Sequence, residues 1–331
     1  MGIDGGREGG LLLKDKLRRT GAHRETHRIV AGREKGSRPI REGAKTMMNT
    51  FDDKSRAGED ADRTYVLGES EPETRRLIRQ GRSHNPSTKR LLEEGGISEG
   101  MRVLDAGSGA GDVALIAAEL VGPEGSVLGV DNNPLVLAAA RGRASEAGLA
   151  NVAFFEGDLS SAELGEGFDA VVGRFILQHH PEPSRALRSL AARVRPGGVV
   201  AFQEMNLRAE SLQAFPPTPL WERYWGWSRA LFGYGGEAEM GYKLHTTFLK
   251  AGLPEPRMRL EAAVGGGLGW GGYEDAAETM RSLLPLVVKL GLATEEEVEI
   301  DSLAERLRRE TVASDGIVKA PEVVGAWARR P

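Results

Sequence analysis

The 331-residue sequence predicts an α/β protein built on a doubly wound sheet of buried parallel strands. Three observations carry this. From residue 65 onward, short apolar runs alternate with longer segments of helical periodicity. Gly or Pro-Gly pairs such as Gly95-Gly96 and Pro196-Gly197-Gly198 punctuate most junctions. The first apolar run leads through three glycines at alternate positions into a helix. Parallel neighbours need crossover helices, so the repeated strand–helix order favours a wound sheet over hairpins.

The elements follow in order. Glu71-Pro72-Glu73 sets a helix start, with Pro tolerated in the first turn and acids near the positive end of the dipole. The segment to Glu94 is expected as two helices broken near Asn85-Pro86, because the residue before a proline is pushed out of the helical region. Strands are expected at Met101–Ala106, Ser126–Asp131, Asn151–Glu156, Phe168–Val172 and Gly198–Glu204, whose lengths and β-branched content suit burial on both faces. Helices are expected at Asp112–Val121, Pro134–Ala147 and Ser184–Val194. Residues 205–250 and 265–313 exceed a plain sheet-and-helix core and are expected as cap insertions. The second reads as two helices, Tyr273–Leu290 and Thr294–Thr311, with Pro285 bending or breaking the first.

Composition narrows the function. At 40% apolar and 28% charged residues the chain reads as a globular protein, with no run near the roughly 18 apolar residues that span a membrane. The absence of Cys excludes disulfides, thiolate metal sites and Cys nucleophiles, and none of the six His stands in an H-E-x-x-H arrangement, so no metal is expected. A net charge of −4 speaks against a dedicated nucleic-acid binder. Residues 1–46 stand apart, with 12 Lys/Arg against 6 Asp/Glu. They read as a solvated basic tail; an arm touching a partner, or a chain start at Met47 or Met48, are the alternatives. Leu11-Leu12-Leu13 is too short for a signal peptide, so a cytoplasmic protein is expected.

Val103-Leu104-Asp105-Ala106-Gly107-Ser108-Gly109-Ala110-Gly111-Asp112 is the most informative stretch. Glycines let the chain turn sharply and let a ligand approach the main chain, beyond the carboxyl end of a strand where open α/β sheets bind ligands. Asp112 is expected to cap the following helix. A dinucleotide match (Gly109-x-Gly111-x-x-Ala114) exists, but an acid at Asp112 opposes a pyrophosphate at the helix N-terminus, and Asp105 suits a cation better. Gly129-Val130-Asp131 ends the next strand, with an acid able to accept two ribose hydroxyls. Glu156-Gly157-Asp158-Leu159 follows the third, with an acid for an exocyclic amine and Leu159 for a ring.

These residues, together with FDAVVGRFILQHH (168–180) and RPGGVVAFQE (195–204), resemble the class I S-adenosylmethionine-dependent methyltransferases, in particular the small-molecule group similar to quinone C-methyltransferases. The resemblance covers about residues 65–205 well. It implies a Rossmann-like seven-stranded sheet whose last strand is antiparallel, with Pro256–Val264 and Gly316–Lys319 as candidates for the final two strands. It implies S-adenosylmethionine as cofactor. Asp105 and Gly107, Ser108 and Gly109 would hold the methionine part, Asp131 the ribose, Asn132 the adenine side, and Gly157, Asp158 and Leu159 the adenine amine and ring. Arg174 would lie near the methionine carboxylate with Phe175 close by. A helical lid at 47–98 would cover the site, with Tyr65 and Gln80 as candidates, and residues 99–331 would form the methyltransferase core.

Methyl transfer from a sulfonium needs alignment and exclusion of water more than a catalytic triad. Where the acceptor must lose a proton, His179 and His180 after the fourth strand are the first base candidates and Glu204 another, while Gln178 could orient the acceptor. Between strands five and six lie seven aromatic residues from Phe215 to Tyr234 in a chain that is 6% aromatic, which suggests an apolar or aromatic acceptor: a secondary metabolite, quinone or isoprenoid-like molecule. A satellite core or dimer contact is the plainer explanation, and both can hold. Methylation of RNA or protein, an NAD(P)-dependent oxidoreductase, and a cofactor-binding protein without turnover are the competing functions. A homo-oligomer is left open.

Overall fold

The computed structural model describes residues 71–159, 164–208 and 213–331, which fall in one compact unit. The 1–46 tail, Tyr65 and the opening of the 47–98 segment lie outside the described residues. In chain order the elements are α1 (Glu71–Gly95), β1 (Arg102–Ala106), α2 (Asp112–Val121), β2 (Ser126–Asp131), α3 (Pro134–Glu146), β3 (Val152–Glu156), β4 (Phe168–Arg174), α4 (Pro183–Ala192) and β5 (Val194–Asn206). They continue with β6 (Gln213–Phe215), α5 (Pro219–Gly235), α6 (Met240–Lys250), β7 (Arg257–Glu261), β8 (Val264–Gly265), α7 (Gly272–Lys289), α8 (Glu295–Val298), α9 (Leu303–Ala313), β9 (Ile317–Lys319) and β10 (Glu322–Arg329). A 3-10 turn, Leu177–His179, follows β4.

Seven strands form the main sheet in the order β3-β2-β1-β4-β5-β10-β7. β1 to β5 run parallel, and the last, β10, is antiparallel to both its neighbours. The two-residue period of the strands sorts their apolar side chains onto two faces. Val103, Ala170, Val172 and Ala201 pack with Leu91 and Leu92 of α1 and with Val113 and Ala117 of α2. Leu104, Val171, Val200 and Phe202 pack with Leu187 of α4 and with Met240, Leu244 and Phe248 of α6. Both faces are covered, which explains the near-continuous apolar runs of the central strands.

Several expectations change. The last strand is Glu322–Arg329, not Gly316–Lys319. The eight-residue run pairs along its whole length with β5 and is buried up to Ala328, whereas Ile317–Lys319 joins β6 and β8 in a small second sheet. Helix α1 runs unbroken through Pro86. The Ser87 hydroxyl donates to the His84 carbonyl (2.8 Å), and the Thr88 hydroxyl donates to Gln203 Oε1 (2.7 Å), so side-chain bonds and tertiary anchoring hold the turn that the proline weakens. Helix α7 likewise continues past Pro285. The helix expected at Thr294–Thr311 is two, parted at Glu299, whose φ of 45° ends the first turn begun by the Thr294–Glu297 capping box. Of the two helices within residues 205–250, α5 belongs to the aromatic cluster, joined there by Met205 and Leu207, and α6 is a crossover helix packed on the sheet.

Candidate active site

The site begins at the glycine loop after β1. Gly107, Gly109 and Gly111 have φ of 67°, 51° and 87°, in the left-handed region that side chains disfavour. A Cβ at Gly107 would also stand 2.5 Å from Ile176 Cδ1. Below the loop, Asp105 is wholly buried, and neither carboxylate oxygen has a hydrogen-bond partner within normal geometry. Burial pushes its carboxyl up to about 7, against the opposing pull of Arg174 and the Ala114 amide, with Asp131 and Asp112 adding to the rise. Asp131, at the end of β2, accepts the Gly109 N–H (2.9 Å) and the Asn133 N–H (3.0 Å), which ties the loop to the next strand. Asn133 caps α3 by accepting the Leu135 N–H (2.9 Å), and Asn132 is left exposed on the site's wall.

Asp112 does not cap α2: Gly111 is the N-cap residue, and no side chain bonds to the helix end. Asp112 instead pairs with Arg143 (2.8 Å) and, at 3.7 Å, with Arg174. Arg174 also donates to Asn85 Oδ1 (3.0 Å) and to the Thr88 hydroxyl (2.8 Å) on α1. The guanidinium therefore joins α1, the loop and the sheet. Gly81 lets α1 come this close, since a Cβ there would meet Asp112 Oδ1 at 2.3 Å.

Phe175 leaves β4 with φ of 59°, a strained value for a residue with a side chain. The turn after it is held by Glu204, whose carboxylate accepts the N–H groups of Ile176 (3.1 Å), Leu177 (2.8 Å) and Gln178 (3.3 Å). Burial pushes the Glu204 carboxyl up to about 8 despite these three donors. Glu204 does not reach the cavity wall; as a candidate base it is corrected to a support for the turn that carries the histidines.

A cavity of about 830 Å³ opens at the carboxyl ends of β1, β2 and β4. It gathers Gln80, Gly107, Ser108, Gly109, Asp131, Asn132, Arg174, Phe175, His179 and His180 from the expected set. Asp105, Gly157, Asp158 and Leu159 are not on its wall. Asp105 is sealed beneath the loop. Gly157 donates its N–H to the Asp131 carbonyl (2.9 Å), Asp158 is exposed and Leu159 leans on the sheet core. His179 Nε2 lies 3.2 Å from Gln178 Nε2. Burial lowers the imidazole pKa of His180, against the pull of Asp158.

Sequence reasoning missed His84, which lines the cavity from α1. It stands four residues after Gln80, on the same helical face, and that spacing could have found it. Removed from bulk water and set near Arg174 and Arg76, its imidazole is held down to about 3. His245, by contrast, lies on the far element α6 with Glu255 at 3.4 Å.

The far wall is aromatic. Trp221 stacks on Trp225 with centroids 5.4 Å apart, and Tyr224 meets Trp225 edge-on at 4.7 Å. The Trp221 indole N–H donates to the Thr311 hydroxyl (2.9 Å), and the Tyr224 hydroxyl donates to the Ala276 carbonyl (3.1 Å), so α5 is locked to α9 and α7. These rings form a second core and a cavity wall at once. Phe215, 73% exposed, stands outside it. Among the described residues no helix is long and apolar enough to cross a membrane.

Residues 97–229 match a family model described as a methyltransferase domain. The chain is 39% identical over 115 residues to the arsenite methyltransferase of Aquipseudomonas alcaligenes, covering 32% of this chain and 33% of that one. It is 35% identical over 138 residues to the aklanonic acid methyltransferase DauC of Streptomyces sp. strain C5, covering 41% of this chain and 63% of that one. The matches therefore span from a third to just under two thirds of these relatives' length. The YcgJ protein of Bacillus subtilis has the same fold, with a TM-score of 0.50 at 17% identity over 75% of this chain and 100% of that one. The matched segment, residues 97–229, is thus similar to methyltransferase domains.

Proposed function

We propose that this protein transfers the methyl group of S-adenosylmethionine to a small apolar or aromatic metabolite bound against the α5–α7 aromatic wall. The observation that carries the reading is the shared cavity: the glycine loop and Asp131 form one side, and Trp221, Tyr224 and Trp225 the other. Its volume lies in the range of small-molecule sites, large enough for a nucleoside and a second ligand.

The residues present fit the donor. An unpartnered carboxylate buried directly beneath a glycine loop is compensated when a cation rests on that loop, and Asp105 offers that charge. Gly107, Ser108 and Gly109 would meet the methionine part, Asp131 the ribose hydroxyls, and Asn132 the adenine side, with Gln80 closing from α1. The donor supplies an activated methyl group when bound. The protein's part is to fix the acceptor in line, which Phe175 and the Glu204-held turn serve, and to keep water out beneath α1. His179 and His180 are the candidates for taking a proton where the acceptor releases one.

The acceptor is read as organic. A soft metalloid such as arsenite calls for thiolate ligands, and the chain has no Cys. Calorimetric titration with S-adenosylmethionine and with NAD(H) tests the donor: heat with the nicotinamide alone reverses the reading. Mass spectrometry of a cell extract treated with enzyme and donor tests the acceptor, through small metabolites that gain one methylene. Modification confined to RNA or protein would replace the small-molecule reading.

A further inference from the structure

Three histidines line the cavity, and their partners separate them. His179 contacts Gln178, and a Cβ at Gly236 would come within 3.6 Å of its Nδ1. His180 is coupled to Asp158. His84 differs. Among the described residues neither of its ring nitrogens has a hydrogen-bond partner, and neither is sealed from the cavity.

The ring is nevertheless fixed. It stands edge-on to Phe175, with centroids 5.1 Å apart and planes at 83°. Phe175 packs in turn against the aromatic cluster of α5 and α7. His84 thus stands where the aromatic compartment meets the end of β4. Its neighbours decide what the imidazole can do. Arg174 from β4 and Arg76 from α1 both disfavour a positive charge there. An imidazolium would be a third cation in the same space, so the ring stays neutral, with one nitrogen accepting and the other donating. A free accepting nitrogen facing the cavity beside Phe175 calls for a ligand that brings its own donor.

We propose that His84 positions the methyl acceptor: its neutral imidazole receives the O–H of a planar aromatic alcohol seated between Phe175 and Trp225. The inference deepens the methyl-transfer reading and takes its meaning from it, but the binding event needs no methyl donor. It narrows the acceptor to hydroxylated aromatics, in which the hydroxyl is either the methylated atom or the group that orients a ring carbon.

Umbelliferone and its methyl ether test this, since they differ only in the hydroxyl and the absorption band of umbelliferone distinguishes phenol from phenolate. At about pH 6, where the free probe is a phenol, the wild-type protein should bind umbelliferone about fivefold to tenfold more tightly than the ether. His84→Phe keeps a ring against Phe175 and should erase that preference while leaving the affinity for the ether unchanged. His84→Gln retains an acceptor atom and should restore part of it. The proposal is overturned if His84→Phe keeps the preference, if His179→Phe rather than His84→Phe removes it, if neither coumarin binds the wild type, or if bound umbelliferone absorbs as phenolate. Titration of S-adenosylmethionine into the same wild-type sample separates the two claims: failure there strikes the methyl-transfer reading and leaves the hydroxyl preference standing.

Discussion

Replacing Asp105 by Asn should make the protein more stable at alkaline pH, not less. In the folded chain the Asp105 carboxyl is raised from 3.8 to about 7, chiefly by burial. It therefore keeps a proton that the unfolded chain gives up between about pH 4 and pH 7. The folded state binds more protons over that window, so stability is full below the unfolded pKa and falls as pH rises through the folded one. A rise of roughly three units at 1.36 kcal/mol each gives an upper limit of about 4 kcal/mol lost from this one group by about pH 8. Asn buries a neutral amide in the same place, comparable in cost to the protonated acid, and has no such slope. Urea unfolding of both proteins at about pH 4.5 and about pH 8 measures the difference; with a neutral side chain of similar size, the variant should gain on the wild type by a few kcal/mol across that range. Parallel profiles, or an Asn variant that loses ground at high pH, would refute the buried, unpartnered carboxylate. Glu204, raised to about 8 by burial, gives the wild type a further fall in the same direction that the Asn variant retains. If a donor cation rests over Asp105, its binding near neutral pH should also release a proton, seen as a binding enthalpy that depends on the buffer.

Asp131→Ala should weaken S-adenosylmethionine about tenfold to a hundredfold by calorimetry, since a charged acceptor of hydroxyls is worth about 1.5–3 kcal/mol; unchanged affinity removes Asp131 from the site. Gly107→Ala should cost about 1–2 kcal/mol for the left-handed backbone alone. The displacement of Ile176 should add to that, read as a lower melting temperature together with weakened donor binding. Trp221→Ala empties a site that is 1% exposed and should cost about 3–5 kcal/mol in denaturant unfolding, while a well-folded variant of unchanged stability would mean the aromatic wall is not a core.

Much of the fold was legible in the chain because its signals are local. β1, β2, β4 and β5 are written in largely apolar runs, as strands covered on both faces must be, and Gly107, Gly109 and Gly111 mark the left-handed turn wherever the chain is read. The register of Asp131 with the loop could be expected from its place at the next strand's end. The same reasoning misjudged Pro86 and the final strand, because each is settled by distant partners. Thr88 on Gln203 holds the helix through one proline, and β5 with β7 selects Glu322–Arg329 over a nearer short run.

The sequence by itself determined that a glycine-rich turn, an acid at the end of the second strand and a histidine pair after the fourth would share one edge of a parallel sheet. Strand direction and two-residue periodicity suffice for that. Only the tertiary structure decided which side chains face the cavity. It turned Glu204 toward three backbone amides, buried Asp105 without a partner, and closed α1 over the loop so that His84 stands open against Phe175. Those outcomes depend on how burial and charge balance between segments more than a hundred residues apart in places, and no local pattern encodes that balance.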